Sequence, residues 1–371
     1  MALNLLFVST PVGPLGSGMG GGVELTLVNL AKALQQRGHR VRAIAPQAPE
    51  TAFSELALPA PPPNLGLGFD LIQVPGQLQT STQTQGRDAL ITLGANSALA
   101  NMWAVAREIQ TDFDILVNFA YDWLPLYLTP FFSIPVAHLI SMGSLTDVMD
   151  AIIGETLERF PGCIGVHSRA QANTFAFGER CCILYNGFDL SQYQFRAQIP
   201  QPAPLGWVGR IAPEKGLEDA VSAAQQLQRS LKVWGAMQDE AYWRSIQTQY
   251  PNAALEYCGF LSTDQLQQQL GLCQGLIMTP KWVEAFGNVA IEALACGVPV
   301  VTYARGGPRE IIVDGSTGWW VEPDSVSGLI EAIAKLDQLD RGVCRQAAEA
   351  RYSLAAMGER VEDWLRSLLE S

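Results

Sequence analysis

Short apolar runs alternate with helical patterns along almost the whole chain, in two successive series. The first comprises Leu3–Ser9, Val41–Pro46, Asp114–Phe119, Ile134–Ile140, Cys163–His167 and Cys181–Tyr185. These runs are apolar without alternation, as parallel strands covered on both faces are. Between the first two, Val23, Leu27, Leu30, Ala31 and Leu34 recur at helical spacing, and Gly38 closes that helix. The second series runs through Leu205–Gly209, Ser230–Gly235, Ala254–Cys258, Gly275–Thr279, Val298–Tyr303 and Gly318–Val321. Helical patterns at Leu217–Arg229, Asp264–Leu272 and Val289–Cys296 separate these strands. Two βαβ series predict an α/β chain of two doubly wound, Rossmann-like domains facing across a cleft, with a ligand at the carboxyl ends of the strands.

A length of 371 residues suits two such domains. The first is read as residues 1–195 and the second as 205–353, with the Pro-rich stretch Arg196–Pro204 between them. A helix over 354–369, within a tail of 354–371, is expected to cross back onto the first domain. The Pro-, Gly- and Gln-rich segment from Leu58 to Gly86 reads as a loop excursion.

Thirty-six acidic against 24 basic side chains give a formal charge of −12, without a long basic run. Such a surface disfavours nucleic acid and stable membrane association and leaves small molecules as the expected partners. No apolar stretch reaches transmembrane length. Leu3–Val8 has no preceding Lys or Arg and runs into a Gly/Pro loop, so it reads as a buried strand and not as a secretion signal. The seven cysteines contain no Cys-x-x-Cys pair and read as free thiols in a reducing cytoplasm. They and the three scattered histidines supply no expected metal site. Nothing in the sequence assigns an oligomeric state.

Glu284 and Glu292 flank Ala285–Ile291. The first follows a strand run, and the second lies on a helix that opens near Gly287-Asn288 and ends at Gly297. A helix opening between two carboxylates offers N–H groups to an anion and two acceptors to hydroxyl-rich groups, a combination suited to a nucleotide sugar. The bare spacing equally describes a loop Glu and an exposed helix Glu. Arg210 and Lys215, in Gly209–Gly216, stand at a strand exit where two cations can hold a diphosphate; alone they would pass for a surface pair.

The first loop, Thr10–Glu24, holds six glycines, among them Gly16, Gly18 and Gly20–Gly22. A dinucleotide site would need a carboxylate closing the second strand, and Ala43–Gln47 has none. The loop also lacks the Gly-Lys-Ser/Thr of a P-loop. Tyr121-Asp122-Trp123 combines a carboxylate with two aromatic faces, suited to a flat polar ring or to anchoring a loop. His138, inside an apolar strand run, reads first as a core histidine, and neither His39 nor His167 has an evident nucleophile beside it.

Together these residues resemble the family-4 retaining glycosyltransferases, which have the GT-B fold. The resemblance spans nearly the whole chain. It rests on Gly209-Arg-x4-Lys-Gly216, the run Glu284–Val300, Gly306-Gly307-x2-Glu310, Asp314-Gly-x-Thr-Gly318 and Asn186-Gly-x-Asp189. It implies a metal-independent transferase that needs no cofactor and uses a nucleotide sugar as co-substrate. Arg210, Lys215 and Glu284 would form its catalytic set. Arg210 and Lys215 would bind the donor diphosphate, Glu284 the donor sugar, and Glu292 the ribose hydroxyls. Backbone N–H groups of Phe286, Gly287, Asn288 and Val289 would contact sugar and phosphate. Gly21 and Gly22 would close over the diphosphate, and Gly259 and Phe260 would meet the base. Retention implies same-face attack, the departing phosphate oxygen taking the acceptor's proton.

One departure stands out. The family places a His six residues after the Pro that begins the strand at Pro135, and this chain has Ser141 there. His138, Ser141 or a backbone carbonyl would have to make that contact. Within the family, Val8–Gly18, Asn118–Tyr127 and His138–Ser144 are similar to cyanobacterial enzymes that transfer glucose from UDP-glucose to tetrahydrobiopterin, a pteridine. The acceptor set would then be drawn from Gly18, Tyr121, Asp122, Trp123, His138, Ser141, Asp147 and Asp150. Tyr121 or Trp123 would stack on the ring, and one of Asp122, Asp147 and Asp150 would accept its adjacent N–H groups. The alternatives are a lipid or polysaccharide acceptor with the same chemistry, and a nucleotide-sugar-binding protein without turnover.

Overall fold

The computed structural model describes residues 1–17, 19–47, 67–80 and 86–370. The chain divides into two compact units, Met1–Gly187 together with Leu354–Ser371, and Phe188–Ser353.

The first unit is built on an all-parallel sheet of seven strands in the order β3-β2-β1-β4-β5-β6-β7. They are β1 Asn4–Val8, β2 Arg40–Pro46, β3 Asp70–Val74, β4 Ile115–Asn118, β5 Val136–Ile140, β6 Ile164–Val166 and β7 Cys182–Ile183. Phe7 pairs in register with Ala43 on one side and Val117 on the other. Alternate residues of β1 enter different cores. Leu5 and Phe7 pack with Leu27, Leu30 and Leu34 of the helix Gly21–Gln36, while Leu6 and Val8 pack with Leu99, Met102 and Trp103 of the helix Ala98–Ile109. Helices on both faces explain why the strand is apolar throughout.

The last helix, Leu354–Leu369, belongs to this unit. Its buried stripe of Leu354, Met357, Val361, Trp364, Leu365 and Leu368 joins the Leu5–Phe7 core. Trp364 Nε1 donates to the Gly162 carbonyl at 2.7 Å. Within the segment expected to be a loop, Asp70–Val74 is instead a strand, parallel to β2 from Arg42↔Asp70 to Pro46↔Val74. It is an edge strand in which only Val74 is fully buried, so it carries neither a continuous apolar run nor a clean alternation. The rest of that expectation falls partly on 58–66 and 81–85, outside the described residues.

The second unit has a parallel sheet of six strands in the order β10-β9-β8-β11-β12-β13. They are β8 Leu205–Val208, β9 Leu231–Trp234, β10 Leu255–Tyr257, β11 Gly275–Met278, β12 Val300–Tyr303 and β13 Gly318–Val321. Trp207, Val233, Ile277 and Val301 pack with Leu217 and Val221 of the helix Leu217–Gln226 and Leu329 and Ile333 of the helix Val326–Ile333.

Residues 188–204, expected to be shared between the first domain and a linker, lie with the second unit. Arg196 N–H donates to Cys296 O at 3.2 Å, and Arg341 Nε donates to Arg196 O at 2.6 Å. A packed strap and a free linker share the same Pro- and Gln-rich composition, because neither forms regular structure. All seven cysteines are unpaired. Among the described residues no helix is long and apolar enough to cross a membrane.

Candidate functional site

The residues singled out in the second unit collect at strand exits. After β8 the chain makes a short turn, Pro213–Lys215, and closes at Gly216 with φ 63°. A Cβ at Gly216 would collide with the Thr279 carbonyl, whereas the glycine lets the turn lie against the end of β11. Thr279 Oγ1 donates to Gly216 O at 2.7 Å and fixes that approach. Lys215 Nζ donates to Glu284 Oε2, and their side chains are only 19% and 18% exposed. The same ammonium stands 4.9 Å from the Trp282 ring centroid, and Trp282 Nε1 donates to Glu284 Oε2 at 3.1 Å. Arg210 donates through Nη2 to Glu214 Oε1 at 2.9 Å and through Nη1 to Gln238.

Behind the Glu284 turn lie Gly306 and Gly307, which follow β12. Gly307 N–H donates to Glu284 O at 2.8 Å. A Cβ at Gly307 would sit 2.7 Å from the Phe286 carbonyl carbon, and one at Gly306 would sit 2.5 Å from Glu284 O. The glycine pair is therefore needed for two backbones to meet. Gly287, with φ 96°, caps the helix Asn288–Ala295, whose positive end begins four residues after Glu284. Phe286 is buried, its ring 6.0 Å edge-on to Tyr352.

Glu292, on that helix, is buried at 8% exposure, unlike an ordinary surface Glu. Its carboxyl is pushed up to about 7 by burial, against the opposing effect of a hydrogen bond from Tyr193. Tyr193 Oη lies 3.1 Å from Glu292 Oε1. Arg345 ties the two segments together, donating to Tyr193 O at 3.0 Å, Ala295 O at 2.7 Å and Leu190 O at 3.2 Å. Tyr193 and Arg345 left no local pattern in the sequence because their contacts are long-range, whereas Trp282, two positions before Glu284, was the one signal near enough to find. Gly259, with φ 75°, follows β10 and accepts from Gly235 N–H at 2.9 Å; Phe260 beside it is 68% exposed.

In the first unit, Gly21 with φ 53° and Gly22 open the helix Gly21–Gln36. The buried Glu24 carboxylate accepts from Gly16 N–H and, at 3.3 Å, from Gly20 N–H. Part of the loop's N–H supply thus goes to a side chain of its own helix. Gly18 lies outside the described residues.

The expected acceptor residues divide. Asp147 and Asp150 converge on Arg87 Nη2, at 2.6 and 3.2 Å, and Ser144 Oγ donates to Asp150 Oδ2 at 2.6 Å. Asp150 Oδ1 is buried without a hydrogen-bond partner among the described residues. Tyr121 is buried, its hydroxyl 3.4 Å from Gly143 O. Asp122 caps the helix Trp123–Leu128, accepting from Leu124 N–H at 3.0 Å, and burial pushes its carboxyl up. Trp123 stacks on Tyr127 with centroids 4.5 Å apart. Ser141 follows the end of β5 and is half-buried.

His138 does not belong with them. It is fully buried, with Nδ1 3.2 Å from Asn118 Nδ2 and Nε2 2.8 Å from Thr129 Oγ1, and burial pushes its imidazole down to about 3. Both ring nitrogens are used inside the core, so none is left for a ligand.

No group of three or more His, Cys, Asp or Glu side chains suited to a metal occurs among the described residues. The Asp-x-Asp triplet Asp112-Phe113-Asp114 lies at the amino end of β4, where Asp114 accepts from Asn4 N–H at 2.7 Å.

Residues 20–192 match the family described as Glycosyltransferase Family 4, and residues 194–352 match Glycosyl transferases group 1. Glycogen synthase of Mycobacterium tuberculosis is 32% identical over 185 residues, 47% of this chain and 44% of that protein. The chain thus spans less than half the length of the first curated relatives it matches. CapM of Staphylococcus aureus, a capsular polysaccharide biosynthesis glycosyltransferase, is 24% identical over 262 residues, 65% of this chain and 66% of that protein. Among solved structures, Anabaena HepE in complex with UDP-glucose superposes with a TM-score of 0.75 at 18% identity, covering 98% of this chain and 100% of that one. Sucrose-phosphate synthase from Thermosynechococcus elongatus gives 0.75 at 17% identity, covering 99% of each chain.

Proposed function

We propose that this chain, which matches the Glycosyltransferase Family 4 and group 1 models over successive stretches and has the GT-B fold, is a retaining, metal-independent hexosyltransferase. In this reading it moves glucose from UDP-glucose to a small soluble acceptor, tetrahydrobiopterin, in the cytoplasm. The observation that carries the donor half is the cluster of Lys215, Glu284 and Trp282 beside the start of the helix Asn288–Ala295.

Arg210 and Lys215 neutralise the diphosphate as the glycosidic bond breaks, together with N–H groups from Phe286 to Val289. Glu284 accepts from a sugar hydroxyl and Glu292 from the ribose hydroxyls. The acceptor hydroxyl attacks on the face that the phosphate leaves, and the departing phosphate oxygen takes its proton. UDP-glucose is supported by HepE, whose crystals hold it. For the acceptor, Asp150 has an oxygen still without a donor and lies beside Arg87 and Ser144, and Tyr121 and Trp123 supply aromatic faces.

A polysaccharide or lipid acceptor is the second reading. The names of CapM and of a phosphatidylinositol mannoside mannosyltransferase from Corynebacterium glutamicum, 26% identical over 247 residues, favour it. So do the rings of Tyr127 and Phe131, exposed at 46% and 57%.

Calorimetric titration with UDP, GDP and ADP tests the donor, and turnover of UDP-glucose with tetrahydrobiopterin tests the acceptor. Absence of binding by every nucleotide would overturn the donor assignment. UDP binding without transfer to the pterin would remove only the acceptor.

A further inference from the structure

Glu284 Oε2 receives two donors, the Lys215 ammonium and the Trp282 indole N–H, while Oε1 takes none from the described residues. Trp282 also turns its ring toward that ammonium, 4.9 Å away. One half-buried side chain therefore touches both members of the ion pair. The arrangement meets a difficulty built into the donor reading, on which this inference rests. Lys215 is committed to Glu284 here, yet a diphosphate needs the same ammonium. As the cation turns toward phosphate, Glu284 loses its counter-charge while it must still hold a sugar hydroxyl.

We propose that Trp282 is a positioning residue that resolves this exchange: its N–H keeps Glu284 Oε2 engaged so that Oε1 meets the donor hexose, and its ring keeps Lys215 within reach of the diphosphate. A neutral indole donor is suited to the task. It holds the carboxylate without competing for phosphate, and its π face attracts an ammonium without binding it as tightly as a carboxylate does.

The two contacts separate by mutation. Trp282→Phe keeps a ring for Lys215 and loses the N–H; Trp282→Leu loses both. UDP carries the diphosphate without the hexose, so calorimetry with UDP and with UDP-glucose reads the contacts apart. Trp282→Phe is expected to bind UDP within about twofold of the parent and UDP-glucose about tenfold more weakly, the scale of a hydrogen bond to a charged group. Trp282→Leu is expected to weaken UDP as well, by about threefold. In a Glu284→Gln background, Trp282→Phe should add little further loss, because the pair acts together.

Equal loss of both ligands in Trp282→Phe, or full additivity with Glu284→Gln, would overturn the proposal in favour of a merely structural tryptophan. Parent-like affinity for UDP-glucose in both Trp282 variants would overturn it too. A parent protein that binds neither ligand would overturn the donor reading itself.

Discussion

Tyr193 Oη and Glu292 Oε1 lie 3.1 Å apart inside the second unit, both side chains almost wholly removed from solvent. Burial pushes the Glu292 carboxyl up to about 7, and the Tyr193 bond opposes that shift by favouring the charged form. Ribose hydroxyls donate best to the ionised carboxylate. UDP affinity is therefore expected to rise as pH climbs through about 7 and then to level off. Tyr193→Phe removes the bond that favours ionisation, so the same rise should move to higher pH. Calorimetry between about pH 6 and 8 checks this. A flat profile in the parent, or an unmoved midpoint in the variant, would count against the ribose role.

The same titration has a stability sign. In the folded, donor-free protein Glu292 holds its proton at a pH where the unfolded chain, with a pKa of about 4.3, has released it. The fold binds more protons than the unfolded chain over that window. Its contribution to the second unit is present below about 4.3 and is lost as pH rises through about 7. Glu292→Gln should flatten this limb in thermal melts, and an unchanged slope would contradict the assigned cause.

Arg210 and Lys215 are expected to matter most to turnover. Arg210→Ala and Lys215→Ala should each lower it by about a hundredfold or more, the scale for losing one preorganised donor to developing charge. Steady-state rates with a UDP-sugar measure it. Near-normal rates in both variants would remove the diphosphate assignment.

Gly307 and Gly259 separate two reasons for glycine. Gly307 has an ordinary φ of −59°, yet a Cβ there would press on the Phe286 backbone. Gly259 has φ 75° with nothing within 4 Å of a Cβ. Gly307→Ala should displace the Glu284–Gly287 turn, costing about 1–3 kcal/mol and weakening donor binding. Gly259→Ala should cost about 1 kcal/mol of backbone strain alone. Equal chemical-denaturation midpoints for Gly307→Ala and the parent would contradict the close approach.

What could be read from the sequence follows the physics of covering. β1 was legible because Leu5 and Phe7 face one core and Leu6 and Val8 the other, which forces a continuous apolar run. Asp70–Val74, on a sheet edge and fully buried only at Val74, has no such constraint. The Glu284 and Glu292 pattern was legible through the glycines and strand ends around it. The burial of Glu292 was not, since its partner Tyr193 is 99 positions away. Arg87, which gathers Asp147 and Asp150, left no signal for the same reason. His138 shows the converse. Its place in an apolar run marked it as core, and both ring nitrogens are indeed bonded there, to Asn118 and Thr129.

The return of the C-terminal helix to the first unit has its own electrostatic fastening. Glu362 accepts from Arg37 Nε, stands 2.6 Å from Arg366 Nη2, and lies 3.4 Å from His39 Nε2, with its side chain 12% exposed. Arg37, which ends the helix Gly21–Gln36, chiefly holds the Glu362 carboxyl down to about 2. Here the folded pKa lies below the unfolded value of about 4.3. The unfolded chain binds the extra proton, so the contribution is complete above about 4.3 and is lost as pH falls through about 2. Glu362→Gln should lower the melting midpoint at neutral pH and converge with the parent in strong acid. The loss should show first as faster hydrogen exchange in 354–369, because the ion pair joins that helix to the rest of its unit. A variant equally destabilised at every pH would mean that packing of the Glu362 stem, and not its charge, holds the helix in place.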